Sequence, residues 1–337
     1  MSTIPEFQKA VLFHEPGGLD KLKYEEIPVP KDLADEEVLI ANKYVGVNLF
    51  DSLLRSMEQL PSWYPLTYPI IPGFEGSGIV VKVGKNVTKL KNGDKVVYAG
   101  SSTFTQYTKV NANSVLKLSN DLKDEKLLKY TALVSGGLTS LCLTNEAYEL
   151  KKEDYVLLYG VGGGVGLVLT QLLSKKGAHV IAVASSDEKL ALAKHYGAEF
   201  LINHKKEDIL KRVKEITDNK GVQVVYDSVG KEVSDISFES LAVKGTWVIF
   251  GFASGPTPPV NPLLLFQKNL KLVSCTLYNT LTSPSAWEHY YDEFSHVVEK
   301  DGLEVPIEIF PIEEYSTAIA KLEGKKVVGK LLLEISS

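Results

Sequence analysis

Cysteine is scarce in this chain of 337 residues, with Cys142 and Cys275 as its two examples. A structural zinc site with four cysteine ligands is therefore impossible within one chain. The six histidines are scattered singly and form neither an H-E-x-x-H motif nor a close cluster with cysteine. We therefore expect no catalytic transition metal. Both cysteines have apolar neighbours, which favours buried packing over a disulfide.

The chain also lacks features that target proteins to membranes or nucleic acids. No apolar run reaches the length of a membrane span, and the first residues, MSTIPEFQKAV, resemble neither a signal peptide nor an Arg-rich presequence. The formal net charge of −5 gives no general attraction to nucleic acid or to an anionic membrane. We therefore expect a cytoplasmic protein with no membrane partner.

The most informative segment that is present is a glycine-rich turn at residues 160–166, GVGGGVG. A strand-like apolar run precedes it, and an apolar helical segment follows at residues 165–176. The pattern G-x-G-x-x-G does not fit with glycine at all three positions, whereas G-x-x-G-x-x-G fits Gly160, Gly163 and Gly166. Such a turn lets the backbone and a helix N-terminus approach a pyrophosphate, but an isolated glycine run equally fits a tightly packed turn.

The downstream sequence favours the dinucleotide interpretation because strands and helices alternate there. Apolar strands are predicted at residues 179–184, 200–203, 223–226 and 247–250, and helices at residues 187–195 and 206–217. Continuous apolar strands between helices indicate a parallel sheet that is covered on both faces. We therefore predict an α/β fold with a Rossmann-type doubly wound sheet at residues 132–278.

The N-terminal third reads differently, as short β-rich segments separated by Pro, Gly and Asn turns. Later in the chain we expect helices at residues 284–298 and 311–322, and a final strand at residues 330–335 that returns to the first domain. The length also favours two domains. We predict that the cofactor domain is inserted into a β-rich domain made of residues 1–131 and 279–337.

Several separated motifs together resemble the medium-chain dehydrogenase/reductase superfamily. Within it, the chain is most similar to the zinc-independent, zeta-crystallin-like NADPH:quinone oxidoreductases, particularly the fungal ones. The resemblance implies a GroES-like fold for the β-rich domain and NADPH-dependent reduction of quinones. The motifs are VGVNLFDSLLRS at residues 45–56, IPGFEGSGIV at 71–80, GGLTSL at 136–141, GVGGGVG at 160–166 and DSVG at 227–230.

The resemblance also accounts for the missing metal ligands. Zinc-dependent members of the superfamily have cysteine, histidine and cysteine where this chain has Asn48, Phe74 and Ser135. Glu75 remains, but one carboxylate does not make a zinc site. Alcohol oxidation is disfavoured without a Lewis acid, whereas quinones and α,β-unsaturated carbonyls accept hydride readily. The residues do not distinguish a quinone reductase from an enone or 2-alkenal C=C reductase.

The resemblance implies that Asn48 and Asp51 are catalytic residues near the nicotinamide and the substrate, and that Asn48 also contacts the cofactor. The residues themselves fit equally well with a structural role, in which Asn48 caps a turn and Asp51 begins a helix.

Cofactor choice depends on the end of the second predicted strand, where VASS at residues 183–186 lacks an acidic residue for a ribose hydroxyl. Asp187 is interpreted as a first-turn helix residue. The resemblance implies that Ser185, Lys189 and Lys325 hold the 2′-phosphate of NADPH, although each lysine also fits a solvated surface charge. We predict NADPH as the cofactor. The resemblance implies further cofactor contacts at Thr139, Gly160, Gly163, Gly164, Val165, Gly166, His204, Phe250 and Gly251.

The substrate region is an aromatic, proline-flanked stretch at residues 60–73. Tyr64 and Tyr68 there, together with Tyr278, are candidate walls for a flat quinone, and a rigid packed turn is the alternative for the stretch.

Two expectations concern partners. The apolar strand predicted at residues 270–276 would need covering if it lies at a sheet edge, and the family pairs this edge, so we expect a homodimer. Some zeta-crystallin relatives bind AU-rich RNA, which keeps NADPH-sensitive RNA binding as an alternative function. The acidic net charge argues against that alternative.

Overall fold

The computed structural model describes residues 4–56 and 67–336 and divides into two compact units. The first unit comprises the chain up to Ser135, with Trp287–Asp292 and the segment from Glu304 onward. The second comprises Gly136–Ala286 and Glu293–Leu303. We call them the catalytic unit and the cofactor unit, after the roles that the sequence predicts for them. The chain thus builds the cofactor unit as an insertion, as predicted, and the predicted boundaries at residues 131 and 278 stay predictions.

The described strands and helices follow in chain order. The strands are β1 (Phe7–Leu12), β2 (Lys23–Pro28), β3 (Glu37–Val47), β4 (Glu75–Val83), β5 (Lys95–Ala99), β6 (Tyr107–Asn111), β7 (Val115–Lys117), β8 (Tyr155–Tyr159), β9 (His179–Ala184), β10 (Phe200–Asn203), β11 (Val222–Asp227), β12 (Leu241–Ile249), β13 (Lys271–Ser274), β14 (Ile307–Pro311) and β15 (Lys330–Glu334). The helices are α1 (Leu49–Ser56), α2 (Asp124–Cys142), α3 (Gly164–Lys175), α4 (Asp187–His195), α5 (Ile209–Ile216), α6 (Ser234–Ser240), α7 (Pro262–Phe266), α8 (Leu277–Thr280), α9 (Pro284–Glu299) and α10 (Tyr315–Glu323).

The cofactor unit contains a parallel six-stranded sheet in the order β10-β9-β8-β11-β12-β13. Successive residues of β8 enter different cores, because Val156 packs into one apolar cluster and Leu157 into another. Side chains alternate between the faces of a strand, so both faces of this sheet are covered. This arrangement confirms the predicted doubly wound fold.

The catalytic unit is built on a seven-stranded sheet in which β3 pairs with β4, β6 and β15. The final strand β15 lies antiparallel to β3 and parallel to β14, which confirms the predicted return of the chain. The register pairs Leu331 with Val47, so the next position places Lys330 beside Asn48. It also pairs Val45 with Gly76, which places Glu75 beside Gly46.

Two predicted helices begin later than expected. The helix predicted at residues 206–217 begins at Ile209, because the Asp208 carboxylate caps it by accepting from the Lys211 N–H at 2.8 Å. The helix predicted at residues 311–322 is preceded by β14, which the sequence pattern missed, and α10 begins only at Tyr315.

The stretch Asp124–Ala147, which contains α2, is the one helix of the described chain that is long and apolar enough to cross a membrane, with a mean hydropathy of 1.2. Of the 18 residues to which this hydropathy refers, 78% are buried within the fold, as in the core helix of a soluble protein.

Candidate functional site

The glycine-rich turn joins β8 to α3 in the cofactor unit. Gly160 leaves the strand with φ of +72°, a left-handed conformation that glycine adopts without strain. The N–H of Gly163 then donates to the Gly160 carbonyl at 3.1 Å, and α3 begins at the next residue. The first N–H groups of a helix have no intrahelical acceptor, so Gly164, Val165 and Gly166 present a site for an anion.

Gly166 allows the turn and the helix to pack closely. A Cβ at this position would lie 2.3 Å from the Gly160 carbonyl oxygen and 2.8 Å from the Val161 Cα. Both contacts are with backbone, which cannot move aside as a side-chain end can. The residue is therefore glycine because of the close approach of helix and turn.

Two neighbouring strands end beside the turn. A Cβ on Gly160 would lie 2.6 Å from the Ser228 Oγ, and a Cβ on Gly251 would lie 2.8 Å from the Ser228 carbonyl oxygen. Phe250 donates its N–H to the Asp227 carbonyl at 2.9 Å. The predicted residues Gly160, Phe250 and Gly251 therefore lie together at the carboxyl ends of β8, β11 and β12, where open α/β sheets bind ligands.

Asp227 organises the loop that carries Ser228. Its fully buried carboxylate accepts from the Val229 and Gly230 N–H groups at 2.8 and 2.9 Å and from the Trp247 indole at 3.1 Å. Burial raises the pKa of this carboxyl despite these donors. The prediction missed Ser228 as a site residue, although the DSVG motif after an apolar strand was a signal for it.

Helix α2 passes close to the start of α3. A Cβ on Gly136 would lie 3.6 Å from the Gly164 backbone. Thr139 is three residues further along α2 and half-buried, so it lies on the same helix face as Gly136. This position is compatible with the predicted cofactor contact of Thr139.

The residues that the sequence predicts to select NADPH follow the end of β9. The Asp187 carboxylate is engaged, since it accepts from the Asn203 amide at 2.7 Å and pairs with Lys206 at 2.5 Å. The hydrogen bond from Lys206 lowers the pKa of Asp187, which lies in the first turn of α4 as predicted. Ser185 immediately precedes the Ser186 cap of this helix and is half-buried.

Lys189 lies across the glycine-rich turn. A Cβ on Gly162 would be 2.5 Å from the Lys189 Cδ and 2.7 Å from its Cγ, so the stem of the lysine occupies the space above that glycine. His204 is exposed, and its N–H donates to the Ala184 carbonyl at 3.1 Å. Lys189 and His204 thus lie at the same edge of the sheet as Ser185. Lys325 belongs to the catalytic unit, is exposed and has φ of +56°, and its predicted role stays a prediction.

A buried polar cluster forms at the adjoining ends of three strands in the catalytic unit. The Asn48 Nδ2 donates to the Glu75 Oε1 at 2.9 Å, and the Lys330 Nζ donates to the Asn48 Oδ1 at 2.7 Å and also to the Glu75 Oε1. The Ser135 N–H donates to the Glu75 Oε2 at 3.0 Å. Glu75 and Lys330 are buried, whereas Asn48 is partly exposed.

Asp51 supports the turn that carries Asn48. Its buried carboxylate accepts from the Asn48 N–H and from the Gly73 N–H, both at 2.7 Å. Burial raises the pKa of Asp51 to about 7, although the two backbone donors and Lys330 oppose this shift. Both oxygens are therefore occupied by backbone donors. The structure does not test a catalytic role for Asp51, which stays a prediction.

Sequence reasoning did not select Lys330 or Glu75 as site residues. The available signal for Lys330 was a charged residue at the start of the apolar strand KLLLE, and the signal for Glu75 was a carboxylate inside the glycine-flanked motif GFEGSG. Phe74, at a position that the resemblance matches to a zinc-ligand histidine, packs edge-on against Phe50 with ring centroids 5.2 Å apart. Within residues 4–56 and 67–336, no group of three or more His, Cys, Asp or Glu residues is arranged so that it could hold a metal ion.

The candidate substrate aromatics are spread over the chain. Tyr68 packs edge-on against Phe13 with ring centroids 6.0 Å apart and joins the apolar core of the catalytic unit. Tyr278 lies on α8 in the cofactor unit and is 46% exposed. Tyr64 lies outside the described residues. The substrate roles of all three stay predictions.

Comparison with known proteins agrees with this architecture. The alcohol dehydrogenase GroES-like domain matches residues 34–154, and the zinc-binding dehydrogenase domain matches residues 164–296. A probable quinone oxidoreductase of Schizosaccharomyces pombe is 35% identical over 321 residues, which cover 94% of each chain. The quinone oxidoreductase of Escherichia coli, solved in complex with NADPH, superimposes with a TM-score of 0.88 at 32% identity and covers 97% of this chain and 99% of its own. A 2-haloacrylate reductase of a Burkholderia species is 29% identical over 340 residues, 96% of this chain and 98% of that protein. The chain therefore belongs to the quinone oxidoreductase branch of the medium-chain dehydrogenase/reductase superfamily.

Proposed function

We propose that this protein is an NADPH:quinone oxidoreductase that works without a metal ion. The observation that carries the cofactor assignment is the end of β9, where Asn203 and Lys206 already bind the carboxylate of Asp187 while Lys189 crosses the glycine-rich turn. A free carboxylate there would repel a 2′-phosphate, whereas a lysine attracts one. The similarity to a quinone oxidoreductase that was solved with NADPH supports the same assignment.

The residues of the cofactor unit fit the parts of NADPH. The N–H groups of the first turn of α3 would bind the pyrophosphate, and Ser185 with Lys189 would bind the 2′-phosphate. His204 would lie against the adenine. Bound NADPH supplies a hydride, and the reduction is balanced when the quinone takes up this hydride together with one proton to give the hydroquinone.

We assign the chemistry on the acceptor to Asn48. Negative charge develops on a carbonyl oxygen of the quinone as the hydride arrives, and an amide N–H donor held in place stabilises that charge. Asp51 holds the backbone of Asn48 through the 2.7 Å hydrogen bond, so we assign it a positioning role. The sequence predicts no general acid for this site, so we propose that the proton comes from water.

Reduction of the C=C bond of enones is the second candidate. The 2-haloacrylate reductase among the relatives supports it, because acrylates carry a C=C bond conjugated to a carboxylate. The same donor would stabilise an enolate oxygen, so the proposed chemistry differs only in the acceptor.

The test follows NADPH absorbance while the purified protein is given 9,10-phenanthrenequinone or a simple enone. The proposal predicts rapid oxidation with the quinone and slower oxidation with the enone. Faster turnover of the enone would favour the second candidate. Failure to oxidise NADPH with either acceptor, together with tight binding of AU-rich RNA that NADPH displaces, would favour the RNA-binding alternative.

We also propose that the protein is a homodimer joined along β13. This strand lies at the end of the cofactor-unit sheet, and Leu272 on it is 40% exposed. Phe266 and Val243 are 77% and 67% exposed, so several apolar side chains of this unit are uncovered. Light scattering at micromolar concentration should give the dimer mass, and Leu272→Lys should shift it toward the monomer. A monomeric wild-type protein would contradict the proposal.

A further inference from the structure

We infer that Lys330 and Glu75 are positioning residues that hold the Asn48 side-chain amide in one orientation. In that orientation one Nδ2 N–H is directed to Glu75 and the other is left to donate to the acceptor. The inference rests on the proposed function, because it gives Asn48 the role of donor to the carbonyl oxygen.

The three side chains are brought together by strand register rather than by proximity in sequence. Asn48 follows the last residue of β3, Glu75 begins β4 and Lys330 begins β15. The side chain of Glu75 lies over Gly46, where a Cβ would be 2.1 Å from its Oε1 and 2.5 Å from its Cδ. The glycine in β3 therefore makes the space that the buried carboxylate occupies.

The charges of the two partners determine which way the amide faces. An ammonium group has donors and no acceptor, so only the Oδ1 of Asn48 can face Lys330. A carboxylate has acceptors and no donor, so only the Nδ2 can face Glu75. Both contacts are within hydrogen-bond distance, at 2.7 Å and 2.9 Å. A flipped amide would place like groups against both charges, so this network specifies a single orientation.

One donor of the amide is unused. An asparagine Nδ2 has two N–H groups, and Glu75 accepts one of them. Within the part of the chain that the structure describes, the second has no acceptor, and Asn48 is the partly exposed member of the cluster. The ammonium also withdraws electron density from the amide oxygen, which makes the remaining N–H a stronger donor.

The carboxylate is itself held in place. Its Oε2 accepts from the Ser135 N–H at 3.0 Å, while its Oε1 accepts from both Asn48 and Lys330. Because Glu75 and Lys330 are buried and oppositely charged, removal of one would leave an uncompensated charge. Replacement of both residues leaves no uncompensated charge. The double variant therefore tests the orientation of Asn48 separately from the stability of the protein.

The decisive variant is therefore the double substitution Lys330→Met with Glu75→Gln. We expect kcat with 9,10-phenanthrenequinone to fall about tenfold to a hundredfold, which is less than the roughly hundredfold to thousandfold loss on complete removal of such a donor, because Asn48 is still present. The dissociation constant for NADPH, measured by fluorescence titration, should stay unchanged. The single variant Lys330→Met should unfold at a lower temperature than the double variant, and Lys330→Arg should recover part of kcat because it keeps the charge.

Lys117→Met is the matched control. Lys117 pairs with the buried Asp94 at 2.9 Å in the same unit, so its loss removes a lysine from a buried carboxylate without touching the cluster. This variant should lose stability and keep the wild-type kcat. A double variant that retains the wild-type kcat would overturn the inference. So would a Lys117→Met control whose kcat falls as much as that of the double variant.

A second readout does not depend on turnover. In protein labelled with 15N-asparagine, the two Nδ2 hydrogens of Asn48 should give separate signals, and the double variant should shift the signal of the hydrogen that Glu75 accepts. Unchanged signals would overturn the inference even in a protein without measurable activity. A wild-type protein that turns over neither quinone nor enone, but whose Asn48 signals respond as expected, would instead contradict the proposed function.

Discussion

The two units differ in the kind of group that they present. The cofactor unit presents backbone N–H groups at a glycine-rich turn, and among its described residues it buries only two charged side chains, Asp154 and Asp227. The catalytic unit buries charged side chains, and among the described residues it holds Asp51, Arg55, Glu75, Asp94 and Lys330 in buried positions.

The difference follows from what each unit does in the proposed function. Backbone dipoles bind a phosphate well if the phosphate can come close to the backbone. Glycine permits this because it has no side chain. Stabilising charge on a reacting oxygen needs a side chain in a fixed orientation, and fixing it away from water requires charged partners. Substitutions in the cofactor unit should therefore weaken NADPH binding, whereas substitutions in the catalytic unit should lower kcat.

The largest effect is expected for Gly166→Ala in the cofactor unit. The new Cβ would meet the Gly160 carbonyl at 2.3 Å, and backbone would have to move. We expect the free energy of unfolding to fall by about 3 kcal/mol and NADPH affinity to fall at least about tenfold. Gly163→Ala is the control for stability, because its Cβ would meet the Gly160 oxygen only at 3.7 Å. Equal destabilisation in both variants, measured by denaturant titration, would show that close approach does not explain Gly166.

Gly46→Ala in the catalytic unit should affect kcat rather than NADPH binding. Its Cβ would lie 2.1 Å from the Glu75 Oε1 and would displace the carboxylate from Asn48 and Lys330. We expect a loss of about 2 kcal/mol in unfolding free energy, a lower kcat and an unchanged NADPH dissociation constant. A loss of NADPH affinity with kcat preserved would contradict the division of roles between the units.

The pH dependence of stability tests the buried charge at Asp51. Its folded pKa of about 7 lies above the unfolded value of 3.8, so the folded state holds the proton more tightly. Stability should therefore decrease as pH rises through this interval and level off above the folded pKa, by about 3 kcal/mol between pH 5 and pH 8. Asp51→Asn removes this titration. The unfolding free energy of the wild type minus that of the variant should thus fall with rising pH, and a constant difference would refute a titrating Asp51.

The smallest effect is expected for Lys189→Met. Loss of the charge above the glycine-rich turn should weaken NADPH binding by about tenfold and leave NADH binding unchanged, because NADH lacks the 2′-phosphate. Lys194→Met removes an exposed charge from the same helix and should change neither affinity. If Lys189→Met weakened the binding of NADPH and of NADH equally, the lysine would contact another part of the cofactor.

The cofactor unit was largely predictable because its strands are short apolar runs between glycine and helix caps. Strands His179–Ala184 and Phe200–Asn203 and helix Asp187–His195 have the predicted bounds. The glycine pattern and the missing acid at residues 183–186 predicted an NADPH site at this turn from local sequence, and the fold places both at the carboxyl ends of the sheet strands.

The cluster around Asn48 was not predictable in this way. It joins residues 48, 75, 135 and 330, which are distant in sequence and meet only because β15 pairs with β3 and β3 with β4. The sequence pattern predicted that the last strand returns to the first domain but gave no register, and a shift of one residue would turn Lys330 to the other face. The space for Glu75 above Gly46 likewise depends on the pairing of β3 with β4.

The most direct test of the proposed function compares kcat/KM for NADPH and NADH with 9,10-phenanthrenequinone as the acceptor of the wild-type protein. The assignment of Ser185 and Lys189 to a 2′-phosphate predicts a value for NADPH that is at least about tenfold higher. Equal values, or a higher value for NADH, would contradict it.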